Sequence, residues 1–182
     1  MPGKDAPPSE QATTTRQLTL IADVVRKPGG IMAANGSTLI IEPTAGSALL
    51  AFEPPTGNCT QAATLRVRTS STDIIATEVR RVEAWVSLET DVATLPDGSS
   101  LGAQVVAPGS PMVSATLADD VLIWDITELV NWATTHQVGA KAFVVVVKPF
   151  FGADASPVEL AAMEGSDHAT LEVVEDQRCI RE

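Results

Sequence analysis

Histidine occurs twice in the chain, at His136 and His168, and neither has a second histidine, a cysteine or a carboxylate at a metal-ligand spacing such as HExxH. Both read as surface histidines of a helix end and a loop. A serine or cysteine nucleophile needs a general base within reach, and no GxSxG elbow is present. Carboxylates are abundant, so pairs for glycoside hydrolysis are the first thing to look for. Asp119-Asp120 and Glu175-Asp176 fall in expected loops and tails, where solvated surface charge is the ordinary state. Asp23, Asp125 and Glu164 differ, because each is embedded among apolar residues. A carboxylate there must be paired, hydrogen-bonded or bound to a cation. For Asp125 two readings stand: acceptance from backbone N–H groups or an arginine, and calcium ligation through oxygen. Asp23, Asp125 and Glu164 are thus the candidate ligands of a structural calcium, and no residue set points to an enzyme.

Trp85, Trp124 and Trp132 are the only tryptophans and tyrosine is absent, so few aromatic faces are available to stack on a sugar ring. Trp124 and Trp132 lie in apolar surroundings and read as core. Trp85, at a strand end before a loop, is the candidate exposed platform. Arg66 and Arg68 project outward from an alternating strand and join Trp85 as candidate ligand-binding residues. Cys59 and Cys179 are the two cysteines. Joined in an oxidising compartment they would close a long loop and pin the C-terminal tail; free, unrelated thiols are the other reading. Asn35-Gly36-Ser37 and Asn58-Cys59-Thr60 match the N-glycosylation acceptor pattern.

The elements that must position these residues centre on VLIWDITELVNWATTHQVGAKAFVVVV, residues 121–147. Val121 to Ile126 reads as a strand covered on both faces. Thr127 reads as a helix N-cap whose hydroxyl accepts from the first turn, with Glu128 at the positive end of the helix dipole. Leu129, Val130 and Ala133 share one helical face, and Asn131 and Thr134 fall outside it. The spacing predicts one short helix over about 127–135, followed by a doubly buried strand from Phe143 to Val147. Upstream, Gln17–Val25, Ser37–Glu42 and Ser47–Phe52 read as strands between glycine and proline turn signals. Thr64 to Thr69 alternates cleanly, with Leu65 and Val67 inward and Arg66 and Arg68 outward. Asp73–Trp85 reads as one long strand or two broken ones, Leu101–Val106 and Met112–Leu117 as weaker strands, and Val158–Met163 and Ala169–Val174 as the last two. So many short strands with so little helix predict an all-β fold, a single antiparallel jelly-roll β-sandwich over 17–175, with a flexible arm over 1–16 and a tail over 176–182.

Trp124-Asp125-Ile126-Thr127, then Val130 and Trp132, then Gly139 and an apolar strand, resemble the late part of DNRLRE-type jelly-roll domains, a group similar in style to CBM96-like carbohydrate-binding modules. More distantly the pattern resembles the prodomain of TGF-β-type growth factors. LTLIADVV, STLIIEP, SALLAFEPP and ATLRVRT echo the opening strands of the first family, so the resemblance runs from about Leu18 to Val174. Where that family usually carries Ser-Arg-Glu before its last strand this chain has Ala162-Met163-Glu164, and Ala169 stands where proline is common. A role tied to that arginine does not carry over. The resemblance implies a non-catalytic jelly-roll module that binds a glycan or another surface polymer.

Net charge is -11 and the pI about 4.5. That balance argues against nucleic acid, whose binding neutralises phosphates with Lys and Arg, and against an anionic membrane surface. No apolar run approaches the roughly 20 residues that span a bilayer. Residues after Met1 lack the apolar core of a signal peptide, so either a signal was removed or the protein leaves its cell by another route such as lysis. The expected location is extracellular, on a surface or in a virion. A second function class therefore stands beside glycan binding: a structural protein of a virion, filament or other extracellular assembly, a homo-oligomer whose N-terminal arm reaches a neighbouring subunit.

Overall fold

The computed structural model describes residues 13–27, 30–33, 36–42, 46–56, 59–71, 81–87, 105–106, 115–136, 141–148 and 157–176. The elements are β1 (Thr13–Leu18), β2 (Leu20–Lys27), β3 (Gly30–Ala33), β4 (Thr38–Ile41), β5 (Ser47–Phe52), β6 (Thr60–Arg68), β7 (Arg81–Ser87), β8 (Val105–Val106), β9 (Thr116–Ala118), β10 (Val121–Asp125), α1 (Thr127–His136), β11 (Ala142–Lys148), β12 (Val158–Ala161) and β13 (Thr170–Asp176). Most of the expected 176–182 tail and of the expected arm lies outside the described residues, but Asp176 closes β13 and β1 begins at Thr13, inside the stretch read as arm. The acceptor asparagines of both sequons, Asn35 and Asn58, are also outside the described residues.

The fold is an all-β sandwich with one short helix. A front sheet has the order β1-β13-β6-β10-β9, a back sheet the order β3-β2-β5-β11-β7-β8, and a separate two-stranded ladder joins β12 to β4. All pairs in these ladders are antiparallel. Leu18, Leu65, Val67, Leu122, Trp124, Leu171 and Val173 from the front sheet meet Leu50, Phe52, Phe143, Val145 and Val147 from the back sheet in one apolar core. Leu39, Ile41, Val158 and Leu160 of the small ladder join that core at one end. The back sheet is buried on its other face too, where Val24, Leu49, Ala51, Ala142, Val144 and Val146 form a second cluster. This is why β5 and β11 are apolar without alternation: neither face of either strand meets water.

Two sequence expectations change. Gln17–Val25 is not one strand. The chain leaves the front sheet after Leu18 and enters the back sheet at Leu20, with Thr19 accepting from Glu53 N at 2.9 Å. Leu18 and Leu20 both point into the same core, so the crossing leaves no break in the apolar pattern. β10 is covered on one face only. Leu122 and Trp124 are buried, whereas Val121, Ile123 and Asp125 face outward.

Helix α1 presents Leu129, Val130 and Ala133 to the core as the spacing predicts, but its start is built differently. Asp125 Oδ1 accepts from Thr127 N at 3.1 Å and from Thr127 Oγ1 at 2.6 Å. The Thr127 hydroxyl in turn accepts from Ala63 N at 2.9 Å, prolonging the β10–β6 ladder with a side-chain oxygen where a carbonyl would stand. Thr127 is therefore a tie between helix and sheet, and Asp125 satisfies the first turn. Asn131 supplies the second tie. Its Oδ1 accepts from Thr60 N at 3.2 Å and its Nδ2 donates to Thr60 O at 3.0 Å, the donor–acceptor pair a neighbouring strand would offer.

Candidate functional site: a polar groove on the front sheet

The outward face of the front sheet is set by the alternation of β6. Leu65 and Val67 are fully buried, and Arg66 and Arg68 stand on the opposite face. Register places Thr170 and Ile123 on either side of Arg66, and Val121 beside Arg68. Arg66 Nη1 lies 3.9 Å from Glu172 Oε1 on β13. Arg68 is held from two sides, by Asp120 Oδ2 at 2.6 Å from Nη1 and by Asp167 Oδ2 at 3.9 Å from Nε. Asp120 comes from the two-residue turn between β9 and β10, where Asp119 takes a left-handed φ of 55° that short polar side chains tolerate. The carbonyl of Asp120 accepts from Thr69 N at 2.8 Å, so the turn is docked on the end of β6.

The wall opposite is the 162–169 segment between β12 and β13. Ala162 N donates to Ser37 O at 2.9 Å and Gly165 N to Ala162 O at 2.9 Å. A Cβ at Gly165 would sit 3.2 Å from Ala162 O, so this turn packs too closely for an ordinary side chain to fit without a shift. β12 is fastened to the end of β6 by Thr69 Oγ1 donating to Glu159 O at 2.7 Å and Glu159 N donating to Ser71 Oγ at 2.9 Å. Between these parts lies a cleft of about 300 Å³ that includes Ser37, Ser70, Arg68, Asp120 and Asp167. A second cleft of about 320 Å³ shares Arg68, Ser166 and Asp167 with it and continues past Arg66 to Gln17 and His168. A third, about 220 Å³, begins at those last two residues and runs to Leu20. The three make one groove along the front sheet. Its walls offer guanidinium, carboxylate, amide, imidazole and hydroxyl groups, and among the described residues no tryptophan, tyrosine or phenylalanine lines it. Phe52, Phe143 and Trp124 are in the core, and Trp132 packs against it.

Of the residues singled out from sequence, Arg66 and Arg68 are brought into one site. Trp85 lies in β7 of the back sheet, opposite Val144 and Val106 in register, and its side chain is outside the described set. The three acidic candidates do not share one place. Asp125 is exposed on the front sheet, its carboxyl held below the usual carboxylate range by the hydroxyl and then the N–H of Thr127. Asp23 is buried on β2, and its Oδ2 accepts from Met163 N at 2.6 Å. Burial pushes the Asp23 carboxyl up, the Met163 N–H opposes that rise, the Glu164 carboxylate adds to it and His168 opposes it. Asp23 and Glu164 are thus electrostatic neighbours. Among the described residues no group of three or more His, Cys, Asp or Glu could hold a metal ion.

Asp23 therefore anchors the groove wall to the back sheet, which carries a pH-dependent expectation. A carboxyl whose folded pKa is raised contributes stability that is fully present below its ordinary value of 3.8 and is lost as pH rises through the folded pKa. Asp23→Asn keeps an acceptor for Met163 N and removes the buried charge, so it should be more stable than the parent at pH 7, with the gap closing as the pH falls toward 4. Asp23→Ala leaves that N–H without its partner and should be about 1–3 kcal/mol less stable than Asp23→Asn at every pH. Urea unfolding of the three proteins from pH 4 to 8 checks this; a constant gap between parent and Asp23→Asn would show that the charge has no part in it.

Cys59 is disulfide-bonded, and the chain's only other cysteine, Cys179, lies outside the described residues. The geometry around Cys59 suits a tether to the C-terminal end. Its carbonyl accepts from Asp176 N at 3.0 Å, and Glu175 is opposite Thr60 in register.

Sequence reasoning missed Asp120, Asp167, Gln17 and His168. Asp120 and His168 read as solvated surface groups, and the signal that could have found them is only that each flanks a strand end next to β6. Compared with known proteins, the chain matches no family model and no curated sequence.

Proposed function

We propose that the chain is a non-catalytic module of jelly-roll type, extracellular or surface-located, that binds a glycan or another surface polymer along the front-sheet groove. The observation that carries the reading is the convergence of Arg66 and Arg68 with Asp120, Asp167 and Glu172 in an open groove long enough for a polymer to lie across it. Planar charged groups fixed by one another present directional donors and acceptors, as recognition of polar polymers requires. The Cys59 disulfide supports an oxidising location.

Isothermal titration against a panel of soluble polysaccharides tests the reading. Arg66→Ala/Arg68→Ala should weaken binding at least about tenfold while changing the unfolding midpoint little, because exposed ion pairs contribute about 0–1 kcal/mol to stability. Unchanged binding by the double variant would remove the groove from the function.

One observation favours the second reading, a subunit of an extracellular assembly. Ile40 and Met163, at 45% and 42% exposure, are large apolar side chains on and beside the small β4–β12 ladder. A stable oligomer by light scattering that Ile40→Lys dissolves would support that reading over the first.

A further inference from the structure

The ion pairs already present in the groove decide what charge its ligand can carry. Resting on the glycan reading above, we infer that the groove takes an uncharged polysaccharide with vicinal hydroxyls, read at a subsite centred on Arg68 between Asp120 and Asp167, and that it rejects acidic polysaccharides.

Among the described residues, the two arginines facing the groove are both engaged: Arg68 with Asp120 and Asp167, Arg66 with Glu172. Two positive charges against three carboxylates leave the site net negative, within a chain whose net charge is already -11. An incoming uronate or sulfate that reaches Arg68 sits beside two carboxylates, Asp120 at 2.6 Å from Nη1 and Asp167 at 3.9 Å from Nε. Like charges at that separation repel even in a solvated groove. An uncharged diol meets no such opposition. One hydroxyl accepts from a free guanidinium N–H of Arg68 while it, or its neighbour on the ring, donates to a carboxylate oxygen of Asp120 or Asp167. Each such bond has one ionised partner, which makes it stronger than a neutral pair.

The absence of tryptophan, tyrosine and phenylalanine along the described groove makes these bonds the main source of selectivity, in place of broad ring stacking. Ser70 extends the same chemistry at one end. Its hydroxyl donates to Glu159 Oε2 at 2.7 Å, and its oxygen lone pairs remain able to accept. His168 and Gln17 do so at the other end, so several sugar units could be read in line.

The test is titration of the intact chain with a neutral β-1,4-linked mannan or glucan, the same polymer after periodate cleavage of its vicinal diols, and a polyuronate, each at low and physiological salt. The expected result is binding to a neutral polymer that changes less than about twofold with salt, is lost after periodate treatment, and exceeds binding to the polyuronate. Asp120→Asn/Asp167→Asn reverses the local charge and should raise polyuronate binding at least about tenfold at low salt; Asp167→Asn alone, on an exposed loop, should do so in part and guards against a folding defect in the double variant. Preference of the parent chain for the polyuronate, weakening with salt, overturns this inference and leaves the glycan reading standing. Binding to none of the polymers overturns the glycan reading itself, and this inference with it.

Discussion

Cys59→Ser lowers the thermal unfolding midpoint by roughly 10–20 °C, and reduction of the parent chain under otherwise identical conditions does the same. The argument runs through the unfolded chain. A bridge from Cys59 to the chain's other cysteine closes more than half of the sequence into a loop, and loops of about 100 residues lose conformational entropy equivalent to roughly 4–5 kcal/mol on closure. For a domain of this size each kcal/mol moves the midpoint by about 2–4 °C. The folded state adds a local contribution. The bridge lies where β13 ends against β6, where Asp176 N is bonded to Cys59 O and where α1 is clamped to Thr60 through Asn131. Freeing the end of β13 exposes that clamp as well. Calorimetry with and without reductant measures the effect, and equal midpoints would show that the disulfide constrains nothing. Binding along the groove should persist in the reduced chain below its midpoint, since Arg66 and Arg68 are at the other end of β6.

Trp124→Ala costs about 3–5 kcal/mol, whereas Trp124→Phe costs less than about 1.5 kcal/mol. Trp124 is fully buried, faces Leu65 across the β10–β6 ladder and belongs to the core that joins both sheets and α1. Alanine leaves a cavity that the flanking strands cannot collapse to fill, which is the source of the larger figure. Phenylalanine keeps most of the ring. It also removes the indole N–H, which is buried without an acceptor among the described residues, and a stranded donor costs about 1–3 kcal/mol. The two changes therefore separate packing from hydrogen bonding. Urea unfolding with an unchanged slope gives both values, and a phenylalanine variant as damaged as the alanine variant would mean that the N–H is satisfied after all.

Much of the fold was legible because its causes are local. The alternation of Leu65, Arg66, Val67 and Arg68 dictates which face of β6 meets the core, whatever the partner strands are, because successive side chains must point to opposite faces. The run from Phe143 to Val147 demands burial on both sides, and the helix from Thr127 follows from the stripe of Leu129, Val130 and Ala133. The all-β class, the short helix and the outward placement of the two arginines were therefore determined by sequence alone.

Tertiary structure decided the rest, wherever the partner is distant along the chain. Asp125 looked embedded because its sequence neighbours are apolar, yet β10 buries only one face and leaves that carboxylate exposed beside Thr127. Of the three acidic candidates Asp23 is the one that is buried, and its partner is the backbone of Met163, which no local pattern could name. Asp120 looked like a solvated loop charge and nothing local marked Asp167, and the two became the sides of the Arg68 subsite only when the β9–β10 turn and the β12–β13 segment converged on the end of β6. The chemistry of each side chain is written in the sequence, but distance between charges is a property of the packed sheets, and it is distance that turns outward arginines and stray aspartates into a site.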